Sequence, residues 1–209
     1  MLLIRPAQLE DVDALLALAE GAGVGLTTLP PDRRLLRDRV VFITGPVGRG
    51  MAQVVTAQLL FLSSEDPKAE ISMYVNSPGG SVSAGLGIVD TMRFIPCPVA
   101  TYIIGQAASM GSVIACSGTK GRRFALPHAE NLMHQPLIGG VIEGQATDLE
   151  IHAKHILRLR DKLYTLYSEN TGQTKDRIHD DCDRDKWLNA QEMLEYGLID
   201  KILDKLPGK

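Results

Sequence analysis

Ser109 lies in Gly105-Gln-Ala-Ala-Ser-Met-Gly-Ser112, where no large side chain crowds its hydroxyl. An apolar run, Val99 to Ile104, leads in, and a helix-compatible segment, Gly111 to Ser117, leads out. A strand that turns tightly into a helix start exposes a side-chain oxygen and leaves backbone N–H groups free. The chemistry this suits is nucleophilic attack on a carbonyl. The bland alternative is a set of small residues chosen for close packing. A second turn, Ser77-Pro-Gly-Gly80, precedes it by one strand-helix unit. Paired glycines let a backbone approach a ligand and aim N–H groups at it. Together with the N–H of Met110, the residue after the serine, this turn forms a candidate oxyanion hole.

Such a serine needs a base, and the chain has five histidines: His128, His134, His152, His155 and His179. His128 follows Pro127 and serves a turn. His152 and His155 are three apart on a helical stretch, half a metal site by spacing, yet no further ligands cluster nearby. His179, among Asp180, Asp181, Cys182 and Asp183, reads as part of a solvated acidic loop rather than a ligand set. His134 ends a short strand before Gln135-Pro136, so its ring projects from a sheet edge toward the serine. An acid must then orient the ring. Asp180, Asp181, Asp183 and Asp185 are all candidates, and residue type does not choose among them.

The elements that hold these residues read as α/β. Val40 to Thr44 is a β-branched strand, and Met51 to Leu62 an amphipathic helix. Ile71 to Val75, Ala84 to Phe94, Val99 to Ile104 and Gly111 to Ser117 continue the alternation of strand and helix. Arg123 to Leu126 and Asn131 to His134 add short strands. This spacing implies βαβ units and a largely parallel sheet. A long helix then runs from Ala146 to Asn170, with Leu149, Ala153, Ile156, Leu163 and Tyr167 on one face. At about 37 Å it is longer than a compact core of this size requires, which points to self-association. Asn189 to Tyr196 is a helix, and Gly197-Leu-Ile-Asp200 is its glycine C-cap and the last strand.

A chain of 209 residues with 44% hydrophobic and 22% charged residues is ordinary for one soluble domain. The net charge of −3 offers nothing to nucleic acid or an anionic membrane. Three widely spaced cysteines fit a reducing compartment. Early acidic residues (Glu10, Asp11, Asp13) argue against a signal peptide, and no apolar run has transmembrane length. The expected location is the cytoplasm.

Residues 1–33 differ in character from the rest of the chain. A short strand, the amphipathic segment Asp11 to Glu20, the glycine cluster Gly21-Ala-Gly-Val-Gly25 and Pro30-Pro31 resemble the opening of an acetyltransferase-type fold, in particular arginine N-succinyltransferase. No acyl-CoA-binding loop succeeds them, and the glycines lack the Gly-Lys-Ser/Thr ending of a phosphate cradle. Residues 1–33 are therefore expected to form an atypical segment used for linkage or docking, and 34–209 the main domain.

From Arg34 to about Leu203 the chain resembles the proteolytic subunit of the Clp protease, a cytosolic ATP-dependent serine peptidase. The resemblance rests on Gln58-Leu-Leu-Phe-Leu62, Asn76-Ser-Pro-Gly-Gly-Ser81, Gly105-Gln-Ala-Ala-Ser-Met-Gly111, Leu126-Pro-His128, His134-Gln-Pro136, Gly144-Gln-Ala-Thr-Asp148, Thr171-Gly-Gln173 and Tyr196-Gly-Leu-Ile-Asp200, in family order. It implies the Clp protease/crotonase-like fold, with stacked βαβ units and a projecting handle helix. It implies Ser109 as nucleophile, His134 as general base and Asp185 as orienting acid, with Gly80 and Met110 supplying oxyanion N–H groups. It also implies heptameric rings stacked through the handle helices into a tetradecamer, with Asp183 and Arg184 at the ring-to-ring contact. Unfolded proteins would be the substrates. No Walker-type motif is present, so no cofactor is expected in this chain and ATP would be spent by a Clp-class ATPase unfoldase docking near Tyr74 and Phe94.

Three departures stand out. Residues 1–33 do not match the family's usual propeptide and pore-lining segment. Ser72 stands where many relatives carry an aromatic, and Leu137 to Glu143 is about two residues longer than the usual turn. The rival readings are a crotonase-type acyl-CoA enzyme, a catalytically silent subunit of a mixed ring, and a Ser-Lys peptidase using Lys120.

Overall fold

A computed structural model describes residues 33–137 and 144–205, and the expectations for 1–32 and 138–143 lie outside them. Strand and helix alternate as expected. The elements in order are α1 (Arg33–Arg37), β1 (Val40–Thr44), α2 (Arg49–Glu65), β2 (Ile71–Ser77), α3 (Val82–Phe94), β3 (Val99–Ala108), α4 (Met110–Cys116), β4 (Arg123–Ala125), β5 (Glu130–Met133), α5 (Ala146–Thr171), α6 (Lys175–Cys182), β6 (Lys186–Asn189), α7 (Ala190–Tyr196) and β7 (Lys201–Ile202).

The sheet runs β1-β2-β3-β4-β7, all parallel, with β5 also paired to β3 and β6 antiparallel to β5. β3 forks it. Thr101 to Ile103 pair with β4, whereas Gln106 to Ala108 pair with β5. The expected strand end at Ile104 is thus too early, because β3 continues through Gly105. Gly105 takes a φ of 93°, and the register to β2 jumps from Val75↔Ile103 to Ser77↔Ala107. The extra residues bulge out, and the Gln106 N–H donates to Asn76 Oδ1 at 3.3 Å. Such a bulge re-aims a strand without ending it.

Alternating β-strand residues face two cores. Ile43, Met73, Val75, Ile88, Met110 and Ile114 belong to the main core between the sheet and the helices. On the other face Phe42, Tyr74, Tyr102 and Phe124 form a row across four registered strands, with neighbouring ring centroids 5.6, 4.8 and 5.0 Å apart. Ser72 lies beside this row, opposite Val40 and Ala100, and adds no ring to it.

Two further expectations need correction. Lys175–Cys182 is a helix, so His179 to Cys182 are its final turn rather than a loop. Thr174 caps its start, and Ile178 and Cys182 face the core. The last strand is Lys201–Ile202, beyond Gly197 to Asp200. The long helix is longer than the core needs, as expected: Leu163, Tyr164, Leu166 and Tyr167 are buried, whereas Leu149, Ile151 and Leu157 are 38, 58 and 49% exposed. Its N-terminal part projects from the core. Among the described residues no helix is long and apolar enough to cross a membrane.

Candidate active site

β3 ends at Ala108, and Ser109 alone makes the turn into α4. Its φ of 54° and ψ of −120° are unusual for a residue with a Cβ. Backbone strain of this kind costs about 1–3 kcal/mol and persists where the surroundings enforce it. Here the Ser109 N–H donates to the Leu132 carbonyl at 2.9 Å and the Ser109 carbonyl accepts from Val113. The side chain caps nothing, so its hydroxyl is not consumed by the helix.

Gly79 fits against this turn. A Cβ there would come within 2.6 Å of both the Ala108 oxygen and Ser109 Cβ, and within 2.9 Å of the Met110 nitrogen. Its φ of 88° also favours glycine. Gly80 instead lies against Val47. The Val47 N–H donates to the Gly79 carbonyl (2.7 Å) and the Ser81 N–H to the Val47 carbonyl (2.8 Å). In such a parallel bridge the N–H of the middle residue, Gly80, points away from Val47. Met110 begins α4, where a helix leaves its first N–H groups free. Gly79 is the glycine that the sequence expectation misses, although Pro-Gly-Gly contains both.

His134 follows β5 directly, one residue past the strand it was expected to end. β5 runs parallel to β3 with Ala108 opposite Leu132, so Ser109 and His134 leave the ends of neighbouring strands. β6 returns antiparallel, pairing Met133 with Lys186. His134 and Asp185 are the residues that adjoin this last rung, one on each strand. Asp185 is exposed, and among the described residues the buried His134 Nδ1 has no hydrogen-bond partner.

The other aspartates are engaged elsewhere. Asp181 accepts from Lys186 and from the Tyr196 hydroxyl (2.7 Å). Burial alone would raise its carboxyl, but these two donors outweigh it and hold the group below the ordinary value. Asp180 contacts His179 at 3.3 Å, and Asp183 lies 3.7 Å from Arg184 and accepts from Gln135. Arg184 is 94% exposed at its side chain, so this pair faces solvent. His179 packs edge-on against Tyr164 of α5.

Alternative chemistries find little support. Burial pushes the Cys116 thiol up to about 11 and Cys182 to about 12, which disfavours the reactive thiolate. Lys120 lies beyond the far end of α4 from Ser109, which leaves no Ser-Lys pair. Among the described residues no three His, Cys, Asp or Glu side chains group to hold a metal. Tyr74 sits in the aromatic row on the outer face of the sheet, and Phe94, 82% exposed, ends α3 on the helical side.

The family model for Clp protease matches residues 28–206. The chain belongs to the Clp protease family. It is similar to the ATP-dependent Clp protease proteolytic subunit of Streptococcus suis (strain 98HAH33), at 53% identity over 84% of this chain and 90% of the relative. The protein of the same name from Streptococcus pneumoniae (strain Hungary19A-6) is 54% identical over 81% of this chain and 87% of its own length. The mixed α/β fold with its parallel-rich sheet is the Clp/crotonase-like one, and family membership makes the chain a serine peptidase.

Proposed function

We propose that this chain hydrolyses unfolded polypeptides through Ser109, His134 and Asp185, inside a chamber closed by two stacked heptameric rings. The observation that carries the reading is the convergence of three neighbouring strand ends, with Ser109 after β3, His134 after β5 and Asp185 before β6. His134 takes the proton of Ser109, whose oxygen attacks the peptide carbonyl. The N–H groups of Gly80 and Met110 hold the oxyanion. His134 then protonates the leaving amine, and water releases the acyl group by the same steps in reverse.

His134 Nδ1, without a partner among the described residues, and the exposed Asp185 support a further element: the acid closes onto the ring when subunits assemble. Asp183 and Arg184, two residues and one residue before Asp185, lie where a ring-to-ring contact would order that segment. The projecting part of α5, with Leu149, Ile151 and Leu157 exposed, supplies an apolar surface for the opposite ring. Tyr74 and Phe94 stand on different layers of one subunit, so a docking pocket using both forms between neighbouring copies. A Clp-class ATPase would dock there and spend the ATP, and this chain needs no cofactor of its own. The cytoplasm is the fitting compartment.

The test is cleavage of a short fluorogenic peptide by the purified chain alone. Turnover that vanishes in Ser109→Ala supports the reading. Turnover that appears only with a second, active subunit would favour the silent mixed-ring alternative.

A further inference from the structure

Behind the reacting side chains lies a polar contact that the mechanism does not use. Asn131 is 1% exposed and Ser112 is fully buried. In the amide orientation that sets no donor against a donor, Asn131 Nδ2 donates to Ser112 Oγ at 2.8 Å and to the Ala107 carbonyl at 3.0 Å. Its Oδ1 accepts from the Leu132 N–H at 3.2 Å. One side chain thus joins three elements: the nucleophile's helix α4, the strand β3 that delivers Ser109, and the strand β5 that delivers His134.

The positions matter. Ser112 lies one helical turn beyond Ser109, and Asn131 lies three residues before His134. Asn131 pairs with Ala107 in register, two residues before the nucleophile. A buried hydrogen bond between α4 and β5 therefore constrains sliding of one catalytic residue's support relative to the other's. An apolar pair would fill the same space without direction, since dispersion contacts do not fix register as hydrogen bonds do.

We propose that Asn131 and Ser112 are positioning residues for the peptidase reaction, their hydrogen bond setting the placement of Ser109 relative to His134. The proposal rests on the assignment of Ser109 and His134 as nucleophile and base. Small displacements of a reacting pair are costly, with about 1 Å enough for roughly a hundredfold loss. Loss of one hydrogen bond behind the pair should shift it by less, and we expect about tenfold.

The experiment compares the purified full chain with Ser112→Ala, Asn131→Val, the double variant and Ser109→Ala. It reads kcat and KM on a short peptide and the rate and final extent of fluorophosphonate labelling. The expected result is that Ser112→Ala and Asn131→Val each lower kcat and the labelling rate about tenfold, while KM stays within about twofold and every subunit still labels. The double variant falls no further than the slower single, because both act through one bond. Should Asn131→Val fail to fold, Ser112→Ala, which removes a single oxygen, still decides the matter. Unchanged rates per labelled site, or independent losses that multiply in the double variant, would overturn the proposal while leaving the triad standing. Labelling that persists in Ser109→Ala, or a wild-type chain that does not label, would instead remove the triad assignment on which the proposal rests.

Discussion

His134 and Asp185 leave the β5–β6 ladder at the same end, each directly adjoining its last paired rung, where Met133 faces Lys186. The two segments are tied together nearby by the Gln135 N–H, which donates to the Cys182 carbonyl at 2.8 Å, and by Gln135 Nε2, which donates to the Asp183 carbonyl at 3.2 Å. Four aspartates compete for the role of orienting acid in the sequence. Their partners differ: Asp181 is tied to Lys186 and Tyr196, Asp180 contacts His179, and Asp183 lies against Arg184 and Gln135.

Asp185→Asn should keep the fold and lose the reaction. The side chain is exposed and makes no hydrogen bond among the described residues, so stability should change by no more than about 0.5 kcal/mol. An asparagine cannot hold the imidazole in the required tautomer or stabilise the imidazolium, and kcat should fall about 10³- to 10⁴-fold. Peptide turnover alongside thermal melting checks both halves.

Gly79→Ala tests the seat of the nucleophile. The added methyl would meet Ser109 Cβ and the Ala108 oxygen at 2.6 Å, at a φ of 88°. We expect about 1 kcal/mol of lost stability from the backbone alone and roughly a hundredfold fall in kcat as Ser109 is displaced. Turnover equal to wild type would mean that the turn yields without cost.

Arg123 and Asp200 join the C-terminal edge of the sheet to the body. The guanidinium meets Asp200 at 2.6 and 3.0 Å and donates to the Asn170 carbonyl at 2.8 Å. Burial would raise the Asp200 carboxyl, but hydrogen bonds and charge from Arg123 hold it below 3.8. A carboxyl depressed on folding stabilises above its unfolded value, and the gain is lost as pH falls through the folded one. Asp200→Asn would leave the buried Arg123 guanidinium without its counter-charge and should cost about 3 kcal/mol at neutral pH. That penalty should shrink as the pH drops below 3.8, which denaturant melts across pH can follow.

In the proposed double ring, Ser substitutions at Leu149, Ile151 and Leu157 should spare the subunit and split the assembly. These side chains are exposed on the part of α5 that projects from the core. Native mass should fall from two rings to one, with far-ultraviolet circular dichroism unchanged.

Much of the fold is legible in the residues because strand-helix alternation and β-branched runs mark βαβ units strongly. The features that escape have physical causes. Gly105 reads as a strand breaker, yet the bulge opposite Asn76 absorbs it and carries β3 on to Ala108. α6 leaves little pattern because Ile178 and Cys182 are its only buried residues in a charged run. The nucleophile's strand and helix are visible locally. The choice of Asp185 comes from family resemblance, because a long-range β5–β6 register leaves no local signal.

The most direct test of the central claim is fluorophosphonate labelling followed by peptide mapping of the adduct. The account predicts a single adduct on Ser109, lost in Ser109→Ala together with peptide cleavage and slowed in Asp185→Asn. An adduct on another residue, or undiminished cleavage by Ser109→Ala, would contradict it.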